Sequence, residues 1–166
     1  ADTYGSLDLF STKKYVELFK YLLEDKYKTN IKVGFHAHNN FQNATPKTLY
    51  ALHCGASSID GTVLGFGRGS GNASTELLLV DLNKNFGKNY NFREILKYAD
   101  KNIKGYQDDN PDCSYNLLYV LAATYGFHVN YAIEFIEKLP KMDMANVLKI
   151  FDEILKRKMN MFYYGA

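Results

Sequence analysis

The segment Ile31-Lys32-Val33-Gly34-Phe35-His36-Ala37-His38-Asn39-Asn40 indicates the fold of this chain. Its first half is a short β-prone run, and its last residues are polar and typical of a loop. Side chains at positions i and i+2 of a strand point to the same face, so His36 and His38 are predicted to project together. Two imidazoles in that arrangement can bind one divalent ion. A bare His-x-His also occurs by chance, and its place at a strand end favours the ligand pair.

Helical and extended segments alternate around this stretch. The pattern predicts a helix that is N-capped at Ser11 or Thr12 and runs to about Lys28, a helix from about Pro46 that stops at Gly55, a strand over 57–64 and a helix over 73–86. Asp60 is expected on the inward face of its strand, in a supporting role. Such alternation is typical of a parallel sheet with crossover helices.

The pattern changes after about Asn91, where the remaining segments all have helical periodicity. We therefore predict two parts, an α/β part over residues 1–88 and a small all-helical region over residues 89–166. Residues 1–5 resemble the end of a strand that runs into a loop. The chain is therefore expected to begin inside a larger protein.

Glycine occupies every second position from Gly65 to Gly71, and Asn72 follows at the start of a helix. Such a loop allows positive φ angles and close approach of a ligand to the backbone. The Asn72 side chain could cap the helix or offer an oxygen to a metal. A phosphate-binding loop is disfavoured, because no Gly-Lys-Ser/Thr sequence follows.

Composition excludes several classes of protein. The 166 residues are 46% hydrophobic and 23% charged, as in ordinary globular domains, and the net charge of +2 does not indicate nucleic-acid binding. No apolar run reaches the ~18–20 residues of a membrane span. Two cysteines without CxxC spacing favour a reducing compartment, so a cytoplasmic location is expected.

Taken together, Gly-x-His-x-His-Asn-Asn and the later Gly-x-Gly-x-Gly-x-Gly-Asn-Ala-x-x-Glu resemble the pyruvate-metal aldolases of the HMG-CoA-lyase-like superfamily, in particular the 4-hydroxy-2-oxovalerate aldolases. Residues 2–5 are similar to the end of the fifth barrel strand in that family. The resemblance implies the C-terminal half of a (β/α)8 barrel, about strands 5–8, followed by a helical region. It also implies cleavage or formation of a C–C bond in a 4-hydroxy-2-oxo acid through a metal-bound pyruvate enolate.

The resemblance also implies roles for individual residues. His36, His38 and Asn72 match metal ligands, for Mg²⁺ or Mn²⁺ by preference and Zn²⁺ or Co²⁺ as alternatives. Thr3 and His36 match substrate-contacting positions, and Tyr115 matches a catalytic tyrosine. The family's Arg-Asp-Gly segment, with its carboxylate ligand, and its histidine base are absent from these 166 residues. The N-terminal half of the barrel is therefore an expected partner. A homo-oligomer is also expected, and an aldehyde dehydrogenase is a weaker candidate.

Two other interpretations stay open. An acetyl-CoA-dependent Claisen-type synthase of the isopropylmalate or homocitrate synthase kind would share the histidine pair. Those relatives favour Gly-Glu-Arg-x-Gly-Asn where this chain has Gly67-Arg68-Gly69-Ser70-Gly71-Asn72. A half-barrel without catalytic activity, used as an interaction module, would bind no metal.

Overall fold

The computed structural model describes residues 1–108, 116–138 and 144–163. The first part of the chain alternates helices with short strands, and the later part is helical throughout the described ranges, as predicted. None of the helices in these ranges is long and apolar enough to cross a membrane. The elements of the first part are α1 (Leu9–Lys20), a π-helical segment (Tyr21–Lys26), β1 (Gly34–Phe35), α2 (Ala44–His53), β2 (Ser58–Ile59), a 3-10 turn (Val63–Gly65) and α3 (Thr75–Asn85).

The helical part begins after the connecting segment at residues 87–91. Its elements are α4 (Phe92–Tyr98), a π-helical segment (Ala99–Ile103), α5 (Lys104–Asp108), α6 (Leu117–Thr124), α7 (Val129–Lys138) and α8 (Met144–Tyr163). Asn116 caps α6, since its side chain accepts a hydrogen bond from the Leu118 N–H at 2.9 Å.

Strands β1 and β2 pair in parallel, with Gly34 opposite Ser58 and Phe35 opposite Ile59. Further bridges extend this arrangement on both sides: Asp2 lies parallel to Ala37, and Thr62 lies parallel to Ser74. Four chain segments therefore lie side by side, with the segment 34–38 between Asp2 and β2. The predicted parallel pairing is confirmed.

Two local predictions are wrong. Helix α1 is capped by Asp8, whose carboxylate accepts the Ser11 N–H at 2.6 Å, so the helix begins before the predicted caps Ser11 and Thr12. The strand predicted over 57–64 is continuous only at 58–59, with one further bridge from Thr62 to Ser74, and the chain turns within residues 63–65, where Leu64 has a φ angle of 56°. That turn redirects the chain toward the glycine-rich loop.

Two separate hydrophobic clusters stabilise the two parts. The first lies between the strands and helices α1 to α3 and contains Val16, Phe35, Ala37, Ala44, Ala51, Ala56, Ala73 and Leu78. The second joins α6, α7 and α8 and contains Tyr119, Ala122, Phe127, Val129, Ala132, Val147 and Phe151. The division at residues 88 and 89 stays a prediction, and these clusters agree with it.

Candidate metal centre

Alternation along β1 and the residues that follow places the two histidines. Phe35 and Ala37 are buried, with exposed fractions of 7% and 1%, and they face the first cluster. His36 and His38 therefore point to the opposite face. Their ring centroids lie 5.0 Å apart with an angle of 78° between the ring planes. The structure brings these two imidazoles together as the sequence predicts.

Asp60 lies beside the first of these rings. Its Oδ2 atom is 3.3 Å from Nδ1 of His36, and its side chain is 66% exposed. Asp60 therefore lies on the same side of the sheet as His36, opposite the first cluster, and its side chain is exposed there. A carboxylate at Nδ1 orients an imidazole and leaves Nε2 free for a metal.

Asn72 is joined to the histidine segment through the backbone. It forms an antiparallel bridge with His38, and the Asn39 N–H donates to the Gly71 carbonyl at 2.9 Å. The Asn72 Nδ2 atom donates to the Phe66 carbonyl at 3.2 Å, whereas Oδ1 is buried and has no hydrogen-bond partner among the described residues. A buried amide oxygen without a partner is costly, and a bound cation would satisfy it.

The alternating glycines create the space for this asparagine. A Cβ atom at Gly67 would lie 2.1 Å from Asn72 Nδ2, and one at Gly71 would lie 2.1 Å from the Gly65 carbonyl oxygen. The φ angle of Gly71 is 82°, which also favours glycine. Glu76 supports the same loop, since its carboxylate accepts the Leu64 N–H at 3.0 Å.

A buried ion pair behind the histidines was not anticipated from the sequence. Lys47 of α2 donates from Nζ to Oδ2 of Asp2, and their exposed fractions are 0% and 4%. Asp2 also accepts the N–H groups of Ser6 and Leu7, and its own N–H donates to the His36 carbonyl at 2.8 Å. Lys47 lies on the buried face of α2 together with Ala44, Thr48 and Ala51. The helical spacing of these four positions is the sequence feature that could have predicted the burial of Lys47.

Electrostatics favour a neutral imidazole at His38. Burial lowers the pKa of His38, and the neighbouring His36 lowers it further, while Asp2 opposes the shift and Lys47 and His128 add to it. A neutral imidazole is the form that binds a metal.

The other predicted site residues have different surroundings. Thr3 is exposed in the turn at residues 2–5, which packs against the histidine segment: a Cβ at Gly5 would lie 3.0 Å from the His38 carbonyl oxygen. Tyr115 lies outside the described residues.

His53 is exposed on α2, where it contacts the Phe86 ring, as expected for a helix-surface residue. His128 precedes α7, and its Nδ1 accepts the Asn130 N–H at 3.3 Å.

Two imidazoles and one unpartnered amide oxygen are a chemically suitable partial ligand set for a divalent ion. They are all neutral. Within the described residues, no three His, Cys, Asp or Glu side chains lie close enough together to hold an ion. The residues present therefore fit a metal whose remaining ligands come from elsewhere.

Comparison with known proteins identifies relatives of this chain. The HMGL-like family profile matches residues 1–101. A 4-hydroxy-2-oxovalerate aldolase of Pelotomaculum thermopropionicum is 54% identical over 55 residues, which are 33% of this chain and 16% of that protein. An oxaloacetate decarboxylase of Mycobacterium tuberculosis is 39% identical over 83 residues, 50% of this chain and 23% of that protein.

A solved structure extends the likeness into the helical part. It is described as the N-terminal domain of a "putative aldolase" from Bacteroides vulgatus, with a TM-score of 0.72 and 27% identity. The alignment covers 90% of this chain and 46% of that one. The matched segments are only 16% to 23% of the length of the two curated relatives above. The resemblance to aldolases seen in the sequence is confirmed, and the chain belongs to the HMGL-like family.

Proposed function

We propose that this chain carries part of the active site of a divalent-metal-dependent aldolase that cleaves or forms a C–C bond in a 4-hydroxy-2-oxo acid. One observation carries the proposal. The His36 and His38 rings lie 5.0 Å apart on one face of their segment, and the neighbouring Asn72 presents a buried oxygen without a partner among the described residues. Mg²⁺ or Mn²⁺ suits an oxygen-rich shell, and Zn²⁺ or Co²⁺ suits the two imidazoles.

Each residue has a distinct part in this proposal. His36 and His38 hold the ion, Asp60 orients the His36 ring through Nδ1, and the Asn72 amide oxygen completes the chain's contribution. When bound, the ion supplies Lewis-acid stabilisation for negative charge that develops on a keto acid. The Thr3 hydroxyl, exposed on the adjacent turn, orients the keto acid by hydrogen bonding.

A second candidate is decarboxylation of a 2-oxo dicarboxylic acid. The likeness to the M. tuberculosis oxaloacetate decarboxylase favours it specifically. Both reactions break a bond to C3 of a 2-oxo acid and leave negative charge on a pyruvate unit, so one metal centre would serve either. They differ in the departing group, which is an aldehyde in one case and carbon dioxide in the other.

We further propose that the chain is the C-terminal half of a (β/α)8 barrel and that the other half supplies an anionic ligand. An open groove of about 550 Å³ along β1 and α1 supports this, lined in part by Val16, Phe19, Leu23, Val33 and Phe35. Because Asp2 pairs in parallel with Ala37, an extended segment ending at Asp2 would run through this groove beside Val33 to Phe35. Codons for further strand–helix units upstream of Ala1 would support the half-barrel, and an in-frame stop there would contradict it.

Metal binding tests the centre directly. Mn²⁺ titration by electron paramagnetic resonance should show that His36→Ala and His38→Ala each abolish the tightest site. Asp60→Asn, which loses the charge but keeps the shape, should weaken affinity by about 10–100-fold. His53→Ala is the matched control, because it removes an exposed imidazole on α2, outside the segment that carries His36 and His38. Equal Mn²⁺ affinity in all four variants would refute the proposed centre.

A coupled assay for pyruvate separates the two reactions. Pyruvate release from 4-hydroxy-2-oxopentanoate together with acetaldehyde supports the aldolase. Release from oxaloacetate alone supports the decarboxylase. Condensation of acetyl-CoA with a 2-oxo acid, measured by free thiol, would instead identify a synthase.

A further inference from the structure

The turn between α6 and α7 lies against the glycine-rich loop. A Cβ atom added at Gly69 would be 2.6 Å from Val129 Cγ2 and 3.5 Å from Asn40 Oδ1. Val129 is 4% exposed and belongs to the second hydrophobic cluster. Asn40 lies two residues after His38. The helical part is therefore packed beside the segment that carries the metal ligands, with Gly69 at the point of contact.

His128 lies on this turn, half-buried, immediately before Val129. Its Nδ1 accepts the Asn130 N–H at 3.3 Å. A nitrogen that accepts a hydrogen bond carries no proton, so the proton of the neutral ring lies on Nε2. His128 can therefore donate a hydrogen bond from Nε2.

Ser70 provides a second polar group on the loop side of the contact. It follows Gly69 directly, is 6% exposed, and its Oγ is buried without a hydrogen-bond partner among the described residues. A buried hydroxyl in that state is unfavourable until a ligand or water bonds to it. The turn before α7 and the loop at Gly69 thus each carry a polar side chain, His128 on the first and Ser70 on the second.

We infer that His128 and Ser70 are substrate-binding residues that form hydrogen bonds to the oxygen on C4 of the substrate. C4 and this oxygen belong to the fragment that leaves as the aldehyde. This inference rests on the proposed function, in which the ion and Thr3 hold the pyruvate part. The helical part then selects 4-hydroxy-2-oxo acids over 2-oxo acids that lack this oxygen. His128 acts as a donor and not as a base, because its proton lies on Nε2.

Nuclear magnetic resonance of the protein labelled with ¹⁵N-histidine tests the inference. Before any ligand is added, long-range ¹⁵N–¹H correlations should show the His128 proton on Nε2. With Mg²⁺ and pyruvate, the His36 and His38 signals should shift while that of His128 stays. With Mg²⁺ and 4-hydroxy-2-oxopentanoate, the His128 Nε2–H should shift as well.

Variants supply the second readout. His128→Ala and Ser70→Ala should each weaken binding of 4-hydroxy-2-oxopentanoate about tenfold and leave pyruvate binding unchanged. His128→Gln places an amide near the position of Nε2 and should retain most of the affinity. His53→Ala is the control for loss of an imidazole elsewhere.

The outcomes are separable. A free-state proton on Nδ1, or equal losses for both ligands in His128→Ala, overturns the inference. So does a shift at His36 and His38 with no response of His128 to 4-hydroxy-2-oxopentanoate, and the proposed function then stands without it. If neither probe moves any of the three histidines, the proposed function and this inference both fail.

Discussion

Gly71 and Gly87 have φ angles of 82° and 62°, yet their surroundings differ. A Cβ at Gly71 would meet the Gly65 carbonyl oxygen at 2.1 Å, whereas one at Gly87 would meet nothing within 4 Å. Gly87→Ala should therefore cost only the backbone term, about 1–2 kcal/mol. Gly71→Ala must also displace the loop that positions Asn72, so it should cost more and weaken Mn²⁺ binding. Urea denaturation and Mn²⁺ titration measure the two effects, and equal losses of stability would contradict the assigned packing.

Asp8 gives a pH-dependent prediction at the same scale. Hydrogen bonds from the Ser11 N–H and hydroxyl hold the pKa of this carboxyl below its ordinary 3.8. At a pH between the pKa of Asp8 in the folded state and its pKa in the unfolded state, the unfolded chain binds more protons than the folded chain. The stability that the cap contributes is therefore complete above pH 3.8 and is lost as the pH falls through the pKa of the folded state. Asp8→Ala should lower the melting temperature at pH 7, Asp8→Ser should largely preserve it, and the difference between wild type and Asp8→Ala should narrow in acid. Circular dichroism melts at pH 7 and pH 3 test this, and a constant difference would refute it.

At the scale of elements, a buried ion pair between Lys47 and Asp2 joins α2 to the segment beside the histidines. Lys47 is fully buried, and burial lowers the pKa of its ammonium while the hydrogen bond to Asp2 opposes that shift. Lys47→Met leaves the Asp2 carboxylate buried without its cation and should cost about 3–5 kcal/mol in the free energy of unfolding. Lys14→Met, at an exposed position of α1, should change stability by less than about 0.5 kcal/mol.

A double-mutant cycle separates the pair from general damage to α2. Asp2→Asn removes the charge and keeps an oxygen for the Ser6 N–H. If the ion pair stabilises the fold, the loss in the double variant Asp2→Asn/Lys47→Met should be smaller than the sum of the single losses by at least about 1 kcal/mol. Additive losses would show that Lys47 acts through packing alone.

The same elements show which features were readable from the sequence. Apolar spacing and Gly55 located α2 within about two residues, and the i, i+2 rule placed both histidines on one face. The paired strand is only Ser58–Ile59, and the chain turns at Leu64 with a φ angle of 56° that is rare for leucine, so the strand predicted over 57–64 was too long. Lys47 pairs with Asp2 across 45 residues of sequence, and no local pattern identifies a partner at that distance. Long-range pairing, more than local propensity, limited the prediction.

At the scale of the whole molecule, the two hydrophobic cores share no residue, and Val129 of the second core lies against Gly69 of the glycine-rich loop. The second core is centred on Phe151, which is 0% exposed and packs against the rings of Tyr125, Phe127 and Phe135. Residues of the first core lie between 16 and 78, and none belongs to α6, α7 or α8. Regions with separate cores can unfold as separate cooperative units.

Phe151→Ala tests this independence. The variant should lose about 3–5 kcal/mol within the helical part, because it removes a buried aromatic ring. Hydrogen exchange should then show lower amide protection in α6 and α7 and little change in α2 and α3. Phe10→Ala is the control, since that ring is 82% exposed. Equal loss of protection in both parts would mean that the molecule unfolds as one unit.

The functional consequence follows from where the parts touch. If the helical part unfolds on its own, the contact of Val129 with Gly69 is lost, whereas the arrangement of His36 and His38 is retained. Phe151→Ala should therefore retain Mn²⁺ affinity within about twofold and lose discrimination between 4-hydroxy-2-oxopentanoate and pyruvate. Loss of Mn²⁺ binding in that variant would instead show that the metal centre depends on the helical part, and metal binding and substrate selection would then not be divided between the two cores.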